Sequence, residues 1–353
     1  MTVDFDKYRY YPSLRSRLWE MRGYRELGAE EKDNLLPIIV LASHGRTRTI
    51  ADVGAKVEEA LEGRPRIVDL EQSPIYACDE CRKLSDPENG FAAWRDFVSA
   101  QNNAVPTALL TSDAPLRDVV RQVMLLESAG QQVVVRSRSP QSDLQILSAI
   151  ISAVDTVDSL LIVLDFGYVR SRAKARAIEA ANVINALREV DDAARIVVMG
   201  SSYPKSAAAY DDAAAALEIE ERAMHAALGG DTVAIYGDFA SIHPEPMEPM
   251  MTRFVPRIDY PLPDAWIFRR VRADQGGYQR CAQLITELVD WDPSLVKNKV
   301  WGAEKIDLAA KGDLTSMNSP APWIAVRVNL HLWQQIHYRD GASEVDDVED
   351  LLD

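Results

Sequence analysis

Short apolar runs recur along the chain, and a longer stretch with helical periodicity follows each of them. Eight such runs occur at intervals of about thirty residues, each bounded by polar or turn-forming residues. Between them, apolar residues recur every three or four positions, which predicts helices with one buried face. The clearest predicted helices are residues 50–63, 116–130 and 172–190. The predicted strands are residues 8–14, 35–42, 66–70, 104–111, 131–137, 159–165, 195–200 and 232–238.

These strands are continuously apolar, which is typical of a parallel sheet covered by helices. Eight β–α units in succession predict an α/β fold of the TIM type, a (β/α)8 barrel. A doubly wound open sheet is the alternative, and such a sheet normally carries a glycine-rich phosphate loop after an early strand. Neither GxGxxG nor GxxxxGK[ST] occurs in the sequence, so the pattern favours the barrel.

The pattern changes after the eighth predicted strand. Residues 253–273 alternate around a proline-containing turn, which predicts two antiparallel strands. Helical patterns follow at residues 278–289 and 323–338, so we expect a β-hairpin and a helical appendage packed over one end of the barrel. The predicted organisation is a barrel of residues 1–245, an appendage of residues 246–340 and an acidic tail of residues 341–353, expected to be disordered.

Composition narrows the functional classes. With 47% hydrophobic and 26% charged residues, the 353-residue chain has the make-up of a globular protein with a large core. The sequence contains no long apolar run, and its N-terminus lacks the features of a secretory signal, so we expect a cytoplasmic protein without a membrane association. The net charge of -15 argues against general nucleic-acid binding, because the phosphate backbone favours a positive surface.

The three cysteines, Cys78, Cys81 and Cys281, are too few for a disulfide framework in a chain of this length. Cys78 and Cys81 form a CxxC pair, but a zinc site needs two further soft ligands, and no second CxxC or HxxxH accompanies the pair. We therefore expect two reduced thiols in a surface loop, with a redox or metal role as the alternative. The sequence identifies no metal site and no cofactor.

Polar side chains follow the predicted strands directly. Ligands of TIM barrels bind at the carboxyl ends of the strands, so these side chains are the first candidates for a site. A buried charge costs free energy unless it is paired or hydrogen-bonded, and charges at the ends of apolar runs therefore need a reason. The candidate catalytic residues are Asp165, Asp238 and His243, and the candidate ligand-binding residues are Arg15, Arg17, Asp69, Arg136, Tyr203, Tyr236 and Arg257.

Two interpretations of these charges stay open. One is structural pairing across the barrel, for instance of Arg136 with Asp165 on the adjacent strand. The other is a site in which carboxylates act as acid and base or hold a divalent ion, while arginines bind phosphate or carboxylate groups. Glu71 and Arg138 lie one residue further into their loops, where we expect solvated side chains.

Five ordered segments resemble a known family. They are the opening "YYPSLRSRLWEMRGYREL", the strand ends "LDFG" and "GSSYP", the segment "GDFASIHPE" and the later "PRIDYPLPDAWIFRRVR". Together, from about residue 8 to residue 338, they resemble the phage and prophage beta protein family. The resemblance implies a barrel-like fold and a role in phage and mobile-element conflict, with antiviral defence as the expected context. It implies no established reaction.

Three functional hypotheses follow. The first is a defence-associated barrel that binds, and hydrolyses, a small anionic ligand such as a nucleotide or phosphorylated metabolite. The second is a non-catalytic interaction protein whose acidic tail or appendage binds a protein partner. The third is a nuclease or nucleic-acid sensor, which the net negative charge disfavours and which needs a local basic patch such as residues 269–272.

Overall fold

Eight parallel strands close into a barrel whose last strand pairs with the first. The computed structural model describes residues 2–43, 49–76, 78–206, 213–245 and 254–339. The first nine strands are β1 (Tyr10–Arg15), β2 (Ile38–Leu41), β3 (Arg66–Leu70), β4 (Ala104–Ala108), β5 (Val133–Ser137), β6 (Leu160–Tyr168), β7 (Arg195–Ser201), β8 (Ala214–Glu218) and β9 (Ile235–Asp238). All except β8 belong to the barrel, so the predicted (β/α)8 architecture is confirmed and the open sheet is excluded.

Helices between the strands cover the outside of the barrel. The predicted periodicity is visible in α6, where Val119, Val123 and Leu126 face the strands and are buried. A capping box begins α3, because the Thr49 side chain accepts a hydrogen bond from the backbone N–H of Asp52. The helices are α1 (Leu18–Arg25), α2 (Ala29–Asp33), α3 (Ile50–Leu61), α4 (Asp79–Leu84), α5 (Glu88–Ser99), α6 (Leu116–Ser128), α7 (Leu144–Ala153), α8 (Ala173–Val190) and α9 (Glu220–Leu228).

The barrel interior has an apolar lower half and a polar upper layer. Alternation along β1 explains both, since Tyr11 joins the interior cluster whereas Tyr10 and Leu14 pack outside against the helices. The same alternation on the other strands fills the lower half with side chains such as Ile67, Val134, Leu161, Val163 and Val197. Above these apolar residues, towards the carboxyl ends of the strands, lie Ser13, Asp69, Thr107, Arg136 and Asp165.

A small antiparallel sheet and four helices form the appendage. The predicted hairpin is present as β10 (Arg257–Pro261) and β11 (Ala265–Arg270). The sheet has a third strand, because β8 pairs with β11, so the order is β10-β11-β8. The alanine-rich β8 lacks the β-branched and aromatic residues that indicate a strand, which explains why the pattern does not predict it. The helices are α10 (Gly277–Thr286), α11 (Ser294–Lys297), α12 (Trp301–Ala310) and α13 (Pro320–Ile336).

The long helix α13 joins the appendage to the barrel. Val328 and Leu332 of α13 belong to the core between strands and helices, while Trp323, Val326 and Leu330 belong to the core of the appendage. No helix in the described part of the chain is both long enough and apolar enough to cross a bilayer. The acidic tail predicted for residues 341–353 lies outside the described residues.

A substitution of Gly237 in β9 tests how closely the strands pack where the barrel closes. A Cβ at this position would lie 2.9 Å from Cγ1 of Val197 and 3.0 Å from the backbone oxygen of Tyr11. We expect Gly237→Ala to lower the free energy of unfolding by about 1–3 kcal/mol, measured by urea denaturation. Gly54→Ala in α3 is the control, since its nearest atoms lie at 3.6 Å and alanine favours a helix. A Gly237→Ala variant as stable as the wild type would contradict the closure.

Candidate functional site

A buried arginine network forms the polar layer of the barrel. Arg136 points into the barrel from β5 and is 3% exposed. Its Nε and Nη2 atoms donate to Oδ2 of Asp165 at 3.0 and 2.8 Å. Its Nη1 donates to the hydroxyl of Ser13 at 3.0 Å and to Oδ2 of Asp69 at 3.3 Å. Arg136 and Asp165 are thus paired, as the structural interpretation of these charges predicts.

Asp69 connects this network to the solvent-facing arginine above it. Its Oδ2 accepts a hydrogen bond from Nη2 of Arg138 at 2.6 Å, and its Oδ1 accepts from the Thr107 hydroxyl at 3.0 Å. Burial alone would raise the pKa of Asp69, but Arg138 and Arg136 outweigh it and hold the pKa below its ordinary value. Arg138, expected to be solvated, is therefore an ion-paired residue of the layer.

A bulge at the end of β6 orients Asp165. The pairing of β6 with β7 shifts register between Asp165 and Tyr168, and the backbone N–H of Gly167 donates to Oδ1 of Asp165 at 2.8 Å. Gly167 has a φ of 58°, a left-handed conformation that glycine adopts without the steric cost of a Cβ. The aspartate and glycine of the "LDFG" segment are thus parts of one local turn, which leaves Asp165 facing Arg136.

Arg15 and Glu20 build the wall nearest to β1. Nε of Arg15 lies 3.4 Å from Oε2 of Glu71, and Nη1 donates to the carbonyl of His243 at 3.3 Å. The backbone N–H of Arg15 donates to Oε2 of Glu20 at 2.8 Å. Burial raises the pKa of Glu20, although Arg15, Arg17 and Arg327 oppose the rise. Glu71, expected to be solvated, is paired with Arg15.

These groups line a cavity of about 390 Å³ at the carboxyl ends of the strands, which we call the mouth cavity. Three arginines and four carboxylates among the described residues line it, so the carboxylates balance the positive charge of the arginines. The cations are Arg15, Arg136 and Arg138, and the carboxylates are Glu20, Glu71, Asp165 and Glu245.

A second cavity, of about 630 Å³, lies beside the first, between the barrel and the appendage. We call it the cationic cavity, because five cations and only two carboxylates line it among the described residues. The cations are Arg17, Lys205, Arg257, Arg270 and Arg327, the carboxylates are Glu20 and Asp259, and the aromatic residues are Trp19, Tyr203, Phe254, Tyr278 and Trp323. Glu20 lines both cavities.

A cluster around Asp259 fixes the arginines of the cationic cavity. Oδ2 of Asp259 accepts from Nη1 of Arg327 at 2.7 Å, and Nε of Arg257 lies 3.0 Å from Oδ1. Burial alone would raise the pKa of Asp259, but the two arginines hold it below its ordinary value. Arg257 and Arg327 also donate to the Tyr203 hydroxyl, at 2.8 and 2.5 Å. Two guanidinium nitrogens of this cavity, Nε of Arg17 and Nε of Arg327, are buried without a hydrogen-bond partner among the described residues.

Asp238 and Tyr236 do not reach either cavity. Gly237 faces the barrel interior, and the two-residue period of a strand therefore turns its neighbours outward. Asp238 is 0% exposed and accepts hydrogen bonds from the hydroxyls of Tyr10 at 2.7 Å and Tyr236 at 3.1 Å. Nε2 of His331 in α13 lies 2.7 Å from its Oδ2. The expectation that every strand-end charge converges on one mouth is therefore wrong for Asp238.

The remaining predicted site residues lie at the cationic cavity. His243 lines it, with Nδ1 2.9 Å from the carbonyl oxygen of Tyr203 and Nε2 3.7 Å from Oε2 of Glu245. Arg17 stacks on the ring of Tyr76, with Cζ 4.9 Å from the centroid. The sequence patterns do not identify Asp259 or Arg327 as site residues. The only signal for Arg327 is that it is a single cation in a strongly apolar helical segment.

The cysteine pair differs from the expectation. Cys78 and Cys81 form a disulfide at the start of α4 and are not two reduced thiols in a loop. The expectation is wrong because Cys78 is the N-cap residue of α4, and the first helical turn brings residues three apart close together. Within the described ranges, no group of three or more His, Cys, Asp or Glu residues is arranged to hold a metal ion.

Fold and cavities together define a (β/α)8-barrel protein whose charged mouth is flanked by a C-terminal appendage. Comparison with known proteins places this barrel in one family. The family described as "Beta protein" matches residues 10–337. The chain is 35% identical over 347 residues to "Protein beta" of Enterobacteria phage P4, an alignment that covers 97% of this chain and 97% of that protein. The chain belongs to the Beta protein family, as the ordered segments predict.

Removing the buried guanidinium tests the polar layer. We expect Arg136→Met to lower the free energy of unfolding by about 3–5 kcal/mol, because it leaves Asp69 and Asp165 buried without their shared partner. Arg138→Met is the matched control, since its side chain is 37% exposed and its pairing with Asp69 is partly screened by solvent, which limits the loss to roughly 1 kcal/mol. Equal losses in chemical denaturation of the two variants would contradict this distinction.

Glu221 of α9 makes stability depend on pH. Its Oε2 accepts hydrogen bonds from the backbone N–H of Ser202 at 2.8 Å and from the Ser202 hydroxyl, and burial raises its pKa from 4.5 to about 8. Between these two values the folded chain keeps a proton that the unfolded chain releases, so this group's contribution to stability falls as pH rises. The decline is complete above about pH 8.

We therefore expect Glu221→Gln to gain stability relative to the wild type as pH rises from 5 to 8, by up to several kcal/mol, since one pKa unit corresponds to roughly 1.4 kcal/mol. Unfolding free energies of both proteins, measured across this range, check the difference. A difference that stays constant with pH would show that Glu221 is ionised in the folded chain.

Proposed function

We propose that this family member acts in phage and prophage conflict by binding a small anionic ligand at the carboxyl end of its barrel. The ligand class is nucleotide-like or phosphorylated. The sequence similarity of the chain to a protein of phage P4 supports a role in the biology of phages. The resemblance of the ordered segments to proteins of mobile-element conflict supports the antiviral role.

The observation that carries the ligand class is the excess positive charge of the cationic cavity. Among the described residues, five cations and two carboxylates line this cavity. Guanidinium and ammonium groups bind phosphate oxygens through charge-assisted hydrogen bonds, which are bidentate where an arginine fork faces the phosphate. The anion therefore belongs in the cationic cavity and not in the charge-matched mouth cavity.

Aromatic side chains around the same cavity suit the remainder of such a ligand. Phe254 is 57% exposed and Trp19 is partly exposed, and both line this cavity. Flat rings offer stacking surface to a base. A nucleoside phosphate combines both features, with its phosphates at the arginines and its base against the rings.

Hydrolysis of the ligand would draw on Glu20. Its carboxyl lines both cavities, and its raised pKa suits a group that donates a proton to a leaving oxygen. Asp165, in contrast, has Oδ2 on Arg136 and Oδ1 on the Gly167 N–H, so its role is to hold the guanidinium. We accordingly assign proton transfer to Glu20 and structural support to Asp165.

Arg270 provides the sharpest test of ligand binding. It lines the cationic cavity, whereas the adjacent Arg269 on β11 does not. We expect Arg270→Gln to weaken binding of nucleoside di- and triphosphates by about tenfold or more in titration calorimetry, because one charged contact is lost. Arg269→Gln removes the same charge from the chain and is expected to bind as the wild type does. Equal weakening in both variants, or no binding of any phosphate compound by the wild type, would contradict the proposal.

Phosphate release by the wild type and by Glu20→Gln tests hydrolysis. We expect Glu20→Gln to lose phosphate release and to keep its affinity for the ligand, which would support the assignment of proton transfer to Glu20. Ligand binding without phosphate release identifies a sensor, and association with DNA or RNA in place of nucleotides would favour the nucleic-acid alternative.

A further inference from the structure

The Cys78–Cys81 disulfide is a chemical group that the proposed function does not use. It joins residues three apart in the sequence, at the start of α4 and on the same end of the barrel as the two cavities. A bridge between such near neighbours closes a very short loop and therefore adds little stability through chain entropy. Its presence needs another explanation.

The surroundings of the two sulfur atoms accommodate the reduced state as well as the bridge. The backbone N–H of Cys81 points at Sγ of Cys78 at 3.0 Å, and a hydrogen bond to sulfur favours its thiolate form. Sγ of Cys81 lies 3.8 Å from the carbonyl oxygen of Tyr76, which can accept a hydrogen bond once this sulfur carries a proton. Each sulfur atom therefore has a hydrogen-bonding group beside it for the reduced state.

Access to the two sulfur atoms is unequal. Cys78 is half-buried, whereas Cys81 is 5% exposed. Cys81 also lines a cavity of about 220 Å³, where the Thr111 hydroxyl is buried without a partner among the described residues. Cys281 is different, because it is fully buried in the appendage and burial raises its pKa to about 11. It is an inert thiol against which the pair can be compared.

We propose that Cys78 and Cys81 form a thiol–disulfide exchange site whose reaction partner is a dithiol. A thiolate of the dithiol attacks the more accessible Sγ of Cys78, the bond between the two cysteines breaks, and Cys81 leaves as a thiolate that takes a proton. The second thiol of the partner, as a thiolate, then attacks the partner's other sulfur atom, which is bonded to Cys78 in the mixed disulfide. Cys78 is released as a thiolate. Two electrons pass from the dithiol, now oxidised to a disulfide, to the cysteine pair.

This inference is independent of ligand binding, since none of its groups lines the cationic cavity. The first experiment uses the full chain with Cys281→Ser, so that only the pair is counted. Buffers of reduced and oxidised dithiothreitol in graded ratio set the state, and alkylation followed by mass spectrometry counts free thiols. We expect none in oxidised buffer and two in reduced buffer, with unchanged circular dichroism.

Two results of this experiment would overturn the proposal. One is a chain that keeps two free thiols in oxidised buffer. The other is a bridge that opens only when the protein unfolds.

A second experiment tests the inequality of the two sulfur atoms. With Cys281→Ser as the background, Cys81→Ser leaves Cys78 alone, and Cys78→Ser leaves Cys81 alone. We expect Cys78 to react with a small aromatic disulfide at neutral pH at least about tenfold faster than Cys81, because it is more exposed and its thiolate accepts a hydrogen bond. Equal rates, or faster reaction of Cys81, would overturn the assignment of Cys78 as the attacked sulfur.

Discussion

The buried guanidinium of Arg136 is the constraint on which the upper half of this barrel depends. Removing such a group from water costs several kcal/mol, and only partners with good geometry offset that cost. Its partners Ser13, Asp69 and Asp165 come from β1, β3 and β6, so a single side chain on β5 makes contacts across the barrel. The network therefore helps to hold the barrel closed. It also separates the apolar interior from the cavities above it.

The pairing of the mouth arginines with carboxylates is the reason that we propose a ligand site in the neighbouring cavity. Arg136 and Arg138 are paired with Asp69 and Asp165, and the described residues that line the mouth cavity carry no excess of positive charge. The excess lies in the neighbouring cavity, where the appendage contributes Arg257, Arg270 and Arg327. The hairpin and α13 thus supply the cationic groups of the cavity in which we propose that an anion binds.

Much of this architecture follows from sequence patterns, and the limits have physical causes. Strand number, parallel order, the hairpin and the Arg136–Asp165 pair follow from apolar runs and the cost of burying charge. The side to which a strand-end residue points depends on a single step of register, and Asp238 therefore lies outside the barrel although Asp165 lies inside. Asp259 and Arg327 come together from elements 68 residues apart, a contact that no local pattern encodes. The third strand β8 forms because β11 offers it an edge, not because its own residues favour a strand.

The central claim is that Arg136 is held as a buried, fully paired cation. Nitrogen-15 NMR of arginine side chains tests it directly, with the Arg136 signal assigned through Arg136→Lys and the 87% exposed Arg117 side chain as an internal reference. Slow exchange of the Arg136 Nε hydrogen with water, together with separate signals for its two Nη groups, is the predicted result. Exchange as fast as that of Arg117, with averaged Nη signals, would contradict the account.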